Sequence, residues 1–256
     1  MRVLILTSSE KGTALTALKK LVLEENIVIE GIIISKKLNL KTFKFYKNKF
    51  KKILKIGFLG AINGVRIRSW FQYDQNELTT LPEIANIHNI PVHYVDLINS
   101  EFTKKIINQS SAVLGLSLGN SYIVPSVFNS FQLGMINIHG EVLPKYQNAQ
   151  SIIWQLYNNS KNTGFTIHKI ENKIDAGMIL IKDEFPIIFK STLKETISYN
   201  SKIIADKSTD ALVKVLLNYN SYSINAKTQT NSSHYTTPSF WQFLRILMNF
   251  KKLKQA

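Results

Sequence analysis

The stretch from Gly134 to Pro186 reads GMINIHGEVLPKYQNAQSIIWQLYNNSKNTGFTIHKIENKIDAGMILIKDEFP, and its first strand decides the fold. In Met135-Ile136-Asn137-Ile138-His139 the two polar residues lie two apart. Strand side chains alternate between faces, so Asn137 and His139 point one way and Ile136 and Ile138 the other. The chain then turns through Leu143-Pro144-Lys145-Tyr146, is expected to be helical over Ser151 to Tyr157, and returns as a strand from Gly164 to Ile170. Next comes the turn Ile174-Asp175-Ala176-Gly177, which sets one carboxylate before a further strand, Met178 to Ile181.

An amide, an imidazole and a carboxylate are the groups that acyl transfer to an amine requires. The amide N–H stabilises the oxyanion of a tetrahedral intermediate, the imidazole takes the proton of the attacking amine, and the carboxylate orients and charge-stabilises the imidazole. The chain has no cysteine, so neither disulfides nor a thiol nucleophile enter. No metal site is expected.

Working outward, Arg2 to Thr7 is a short apolar strand, Thr13 to Glu24 has helical periodicity, and Ile27 to Ser35 is apolar nearly throughout, as a parallel strand covered on both faces should be. This is a βαβ opening. Its loop, Ser8 to Thr13, holds one glycine and lacks G-x-G-x-x-G, which argues against a nicotinamide or flavin site. Leu81 to Asn89 and Phe102 to Ile107 read as helices, Ile90 to Val95 and Ala112 to Leu118 as strands. The expected fold class is α/β, a Rossmann-like, mostly parallel sheet with helices on both faces. In such sheets ligands bind outside the carboxyl ends of the strands, where Asn120 to Pro125 and His139 fall.

After Pro186, Thr192 and Glu195 form a capping-box pattern ahead of a long helix. Asn218 to Pro238 is polar and reads as a loop or arm, its last residues lying over the catalytic part; Phe240 to Lys254 is an apolar tail ending in bases. The expected division is a catalytic domain over residues 1–190, with a basic insertion at about 36–72, and a helical and irregular C-terminal extension over 191–256.

The formal charge of +15 is unevenly placed. Nine lysines and two arginines lie between Gly31 and Tyr73 with no acid, and four more bases follow Phe240, again with no acid; together these tracts carry the whole excess. One reading is a solvated helical insertion. The other is a surface that meets anionic lipid or collects phosphorylated substrate. The tail is open to two readings as well, a homodimer helix or a membrane-surface helix. No apolar run approaches the ~18–20 residues that span a bilayer, and MRVLILTSS reads as a buried strand rather than a signal peptide.

The central motifs resemble those of the formyltransferases that use 10-formyltetrahydrofolate. Their Asn-x-His and Leu-Pro-x-Tyr are similar to Asn137-Ile138-His139 and Leu143-Pro144-Lys145-Tyr146, their Thr-Gly-x-Thr-x-His to Thr163 through His168, and their Asp-x-Gly to Asp175-Ala176-Gly177. The resemblance is close over roughly residues 110 to 186. It implies the formyltransferase fold, 10-formyltetrahydrofolate as co-substrate, and Asn137, His139 and Asp175 as the catalytic set. It places Leu118, Asn120, Tyr122, Ile123 and Gly177 at the folate pocket, and Gly12, Thr13, Lys145, Tyr146, Glu141 and His168 on the substrate side. Two positions depart from the pattern: Gly140-Glu141 replaces a small pair such as Pro-Ser, and Asn148 replaces a glycine. For His168 a structural hydrogen bond is an equally good account. Glu141 either meets the incoming amine or faces solvent. His88, His93 and His234 show no partners in sequence.

Three acceptors fit the resemblance. Relatives acting on initiator tRNA are longer, with a C-terminal β-barrel, and those acting on glycinamide ribonucleotide open with a Gly-rich phosphate loop of which only Gly12-Thr13 remains here. By elimination the chain is most similar to sugar N-formyltransferases, which implies a nucleotide-linked amino sugar as partner. It also implies a role in surface polysaccharide synthesis and a cytoplasmic location, with the inner membrane face as a secondary expectation. Nucleic acid is not an expected partner. The competing reading from another class is a non-catalytic basic protein that keeps this fold to bind lipid or nucleic acid.

Overall fold

The structure is a computed structural model of the 256-residue chain. It describes residues 1–36, 47, 50–51, 53–54, 56–71, 78–148 and 152–255. The first half of the basic insertion, on which the lipid and phosphate readings rested, lies largely outside the described residues.

Seven strands form one sheet: β1 (Arg2–Thr7), β2 (Val28–Ser35), β3 (Val92–Val95), β4 (Leu114–Leu118), β5 (Met135–His139), β6 (Asn162–Lys169) and β7 (Ile179–Pro186). They are ordered β3-β2-β1-β4-β5-β6-β7. The first five are parallel, while β6 pairs antiparallel with β5 and β7 antiparallel with β6. The order reverses between β1 and β4, which opens a crevice at the strands' carboxyl ends. Because β6 runs back along β5, Asn137 faces His168 and His139 faces Thr166 across the ladder. Strand β7 continues past Ile181 through Asp183 and Glu184. As the outer strand of the sheet it can carry exposed acids and end on Pro186 without losing a ladder bond.

The period-two alternation of β1 sorts the core. Val3 and Ile5 join one cluster with helix α1 (Thr13–Leu21), whereas Leu4 and Leu6 join the opposite one. Helix α2 spans Phe58–Trp70, α3 Leu81–Ile87, α4 Glu101–Gln109, α5 Pro125–Phe128, α6 Ile153–Tyr157, α7 Leu193–Leu217, α8 Tyr219–Ile224 and α9 Phe240–Gln255. The capping box of α7 is present: Glu195 N donates to Thr192 Oγ1, and Thr192 N to Glu195 Oε2, each at 3.1 Å.

Beyond residue 190, Leu212, Val215 and Leu216 of α7 lie in the same apolar cluster as α1 and β1. Lys20 of α1 also bonds Asp206 and Asp210 of α7 at 2.6 Å each. The C-terminal tail is helical and packs along one side. Phe243, Ile246, Phe250 and Leu253 of α9 bury against Trp154 and Leu156 of α6 and against Ile67 and Trp70 of α2. The polar arm begins with a helix, α8, that its Asn- and Ser-rich sequence did not suggest.

Candidate active site

A cleft of about 430 Å³ opens at the carboxyl ends of β4 and β5, with Ser117, Asn120, Tyr122, Asn137, His139, His168 and Asp175 among its lining residues. Residues as far apart in sequence as Asn137 and Asp175 therefore share one wall.

The ring of His139 is held from the rear. Its Nε2 lies 2.9 Å from the carbonyl oxygen of Tyr146, and a carbonyl only accepts, so Nε2 carries the proton. In the neutral imidazole the lone pair is then on Nδ1, which faces Asp175 Oδ2 at 3.6 Å. That separation is too long for a direct hydrogen bond. The hydrogen bond that holds the ring is the one to the Tyr146 carbonyl. Asp175 faces the nitrogen that carries the lone pair.

His168 orients Asn137. His168 Nδ1 donates to Lys169 O at 2.8 Å, which leaves Nε2 as acceptor for Asn137 Nδ2 at 3.2 Å. Burial, with His139 nearby, pushes its pKa down to about 4. Although Nε2 also lies 3.7 Å from Asp175 Oδ1, His168 is neutral at physiological pH and this contact is not an ion pair. One Asn137 N–H is thus committed to His168 and the second is left over for a ligand. Both readings of His168 merge: a structural hydrogen bond with a consequence in the cleft.

The Asp175 turn is fixed from below. Asp175 has φ 53°, a left-handed conformation that Asp tolerates. Its carbonyl accepts from Gln147 Nε2 at 3.0 Å and Gln229 Nε2 at 2.9 Å; Gln229 Nε2 also reaches Gly177 O at 2.7 Å. Its Oδ2 accepts from the backbone N of Asn148 at 3.0 Å. A Cβ on Gly177 would stand 1.8 Å from the Lys169 carbonyl, so only glycine lets the turn lie against β6. Sequence reasoning missed Gln147 and Gln229. They stand 82 positions apart in polar runs that carry no periodic signal.

The folate-side candidates divide. Asn120, Tyr122 and Ile123 line the cleft, and Asn99 pins their loop by donating to Tyr122 O and accepting from Val124 N. Leu118 and Gly177 do not: Leu118 belongs to the core cluster around β1, and Gly177 packs on β6. Asn120 donates to Leu6 O and Ser117 Oγ while its Oδ1 is buried with no partner among the described residues. A free buried acceptor beside a tyrosine suits a flat heterocycle with N–H donors.

Substrate-side candidates mostly lie elsewhere. Tyr146 contributes its carbonyl, its ring being buried and stacked on Tyr235 at 5.6 Å. Gly12 and Thr13 start α1, and exposed Lys145 sits on the turn; none of the three is in the cleft wall. Glu141 is 1% exposed and is not among the residues lining the cleft. It accepts from Gln155 Nε2, and burial holds its carboxyl well above the usual range. Thr166 hydroxyl donates to Glu141 O and accepts from Leu143 N, tying that loop to β6.

The family model described as formyl transferase matches residues 85–216. Among curated proteins the chain is similar to methionyl-tRNA formyltransferase of Chlorobium chlorochromatii, 25% identical over 54% of this chain and 44% of that protein. It is also similar to the bifunctional polymyxin resistance protein ArnA of Wigglesworthia glossinidia brevipalpis, 30% identical over 51% and 21%. The chain thus spans less than half the length of these relatives. Among solved structures it resembles WlaRD, a sugar 3N-formyl transferase determined with dTDP and 5-N-formyl-THF (TM-score 0.58, 19% identity, 98% of this chain and 79% of that one). The Helicobacter canadensis N-formyltransferase with folinic acid and dTDP-3-aminofucose gives 0.58, 17%, 97% and 80%. Phosphoribosylglycinamide formyltransferase of Bacillus halodurans gives 0.55, 16%, 81% and 90%. At these identities the structural likeness establishes the fold alone.

Proposed function

We propose, for a chain that belongs to the formyl transferase family, that it moves a formyl group from 10-formyltetrahydrofolate to the primary amine of a nucleotide-linked amino sugar. The observation that carries the chemistry is the meeting of Asn137, His139 and Asp175 in one cleft, with Nδ1 of His139 as the available base. The folate supplies the formyl carbon, and Asn120, Tyr122 and Ile123 are the residues that would hold it.

Asn137 donates its uncommitted N–H to the oxygen that becomes negative as the amine nitrogen bonds to the formyl carbon. His139 Nδ1 takes the proton that this nitrogen sheds, and Asp175 balances the imidazolium charge. When the bond from the formyl carbon to N10 breaks, His139 returns the proton to N10. The products are a formamide and tetrahydrofolate, and the base is restored.

The acceptor is supported by extent of likeness. The two sugar N-formyltransferases align with 97–98% of this chain, C-terminal extension included, against 81% for the ribonucleotide enzyme. The curated relative that acts on methionyl-tRNA favours a second acceptor, initiator methionyl-tRNA. A screen decides between them: 10-formyltetrahydrofolate is offered with a panel of amino-sugar nucleotides, glycinamide ribonucleotide or methionyl-tRNA, and the acceptor's mass is read. The expected outcome is one formyl group gained by an amino-sugar nucleotide; formylation of the tRNA or ribonucleotide alone would displace this acceptor, and a product from none would remove the reaction.

A further inference from the structure

Helix α2 buries both its glycines with Ile67 and Trp70 and leaves four other large apolar residues outward. Gly60 and Gly64 face the segment before α9: a Cβ would lie 3.2 Å from Ser239 Cα at the first and 2.5 Å from Thr237 Cγ2 at the second. Ile56, Ile67 and Trp70 complete that buried side. Each helical glycine costs roughly 1 kcal/mol relative to alanine, so close seating of α2 is obtained against helix propensity. Phe58 (73% exposed), Leu59, Ile62 and Val65 (73%) are left on the surface. Phe50 and Leu54, ahead of the helix, are exposed too, and so is Trp241 (76%), which follows the Ser239–Phe240 backbone against which Gly60 packs. A helix on a solvated surface ordinarily presents polar residues there, and clustered exposed apolar side chains of this kind mark an interaction surface.

Charge selects the partner. The eleven bases between Gly31 and Tyr73 face no acid in sequence, and Lys47, Lys51, Arg66 and Arg68 are exposed beside the apolar residues. A second copy of the chain would set like charge against like charge. Nucleic acid would satisfy the bases but leave the aliphatic and aromatic side chains without a counterpart. An anionic bilayer satisfies both. Among the described residues no helix is long and apolar enough to cross a membrane, so attachment would be at the surface.

We propose that Phe58, Leu59, Ile62 and Val65 of α2, with Phe50 and Trp241, form a docking face for an anionic lipid bilayer. The apolar side chains enter the interfacial layer while the neighbouring lysines and arginines meet lipid phosphate. This is independent of the acceptor and of the formyl transfer.

The test is co-sedimentation of the full chain with vesicles of phosphatidylcholine alone and of phosphatidylcholine and phosphatidylglycerol in equal parts. Binding is expected to the mixed vesicles only, to weaken with added salt, and to fall about tenfold or more in the Phe58→Ser, Ile62→Ser, Val65→Ser variant. Tryptophan emission of the unmodified protein gives a second readout, since Trp70 and Trp154 are buried and Trp241 is exposed. Mixed vesicles should shift the emission to shorter wavelength, and Trp241→Phe should abolish the shift. Negligible binding to both vesicles overturns the proposal. So does binding that the triple variant retains with no emission shift in the wild type, which would be charge attraction without insertion. Dimers that the triple variant dissolves, without vesicle binding, would assign the face to a second copy instead.

Discussion

His139 and Asn137 are each aimed by a hydrogen bond to something other than Asp175. For His139 it is the Tyr146 carbonyl, for Asn137 the neutral ring of His168. Removing the base, His139→Ala, or the second N–H donor, Asn137→Ala, should each lower kcat by about two to four orders of magnitude in a formyl-transfer assay, with an unchanged circular dichroism spectrum. His168→Phe keeps the ring volume but deletes the acceptor, and should cost kcat about tenfold while leaving the acceptor KM unmoved. Glu141 makes a different prediction. Its raised carboxyl pKa means the folded chain keeps a proton that the unfolded chain loses near the ordinary 4.5. Between those two values each rise in pH lowers stability, so the contribution is whole at acidic pH and is lost as the folded group ionises. That proton also supplies a donor where Glu141 Oε1 and Gln155 Oε1 otherwise lack partners. Melting temperature against pH should therefore fall less steeply in Glu141→Gln than in wild type; parallel curves would show that Glu141 is not the source.

At the scale of elements, what matters is how loosely connected segments fix the Asp175 turn. The arm after α7 returns through Lys227, which bridges to Ile179, and then delivers Gln229 beneath the turn. Gln229→Ala removes its bond to the Gly177 carbonyl and leaves the Asp175 carbonyl with Gln147 alone, and kcat should drop by about ten- to a hundredfold, since small displacements of a catalytic group cost that much. A structural role alone would move the melting temperature and not kcat. Gly177→Ala, by contrast, should fail at the level of folding, because its Cβ has no place against Lys169 O; soluble, active Gly177→Ala protein would contradict the turn's geometry. The strands, the α7 cap and the shared face of Asn137 and His139 were legible in sequence, since alternation and capping chemistry are local; the place of Asp175 beside them was implied only by the family resemblance. The glutamines were not legible, nor was the burial of Glu141. Those depend on contacts between segments that no short-range pattern encodes.

Over the whole molecule, the described residues form three apolar clusters, two of them shared by elements before and after residue 190. Two lie on the faces of the sheet; the third joins α6, α9 and the basic insertion's α2. The tail's apolar stripe suits a dimer or a membrane as well as it suits α6, because period alone does not name the surface it meets. Ile246, fully buried in the third cluster, should cost about 2–5 kcal/mol on replacement by alanine, read by denaturant unfolding. The central claim, that groups from β5 and from the turn before β7 act together in formyl transfer, is tested most directly by turnover of Asp175→Asn with the acceptor identified in the screen. A fall in kcat of about a hundredfold or more, with the fold and acceptor KM preserved, is the expected result. Turnover at the wild-type rate would contradict it.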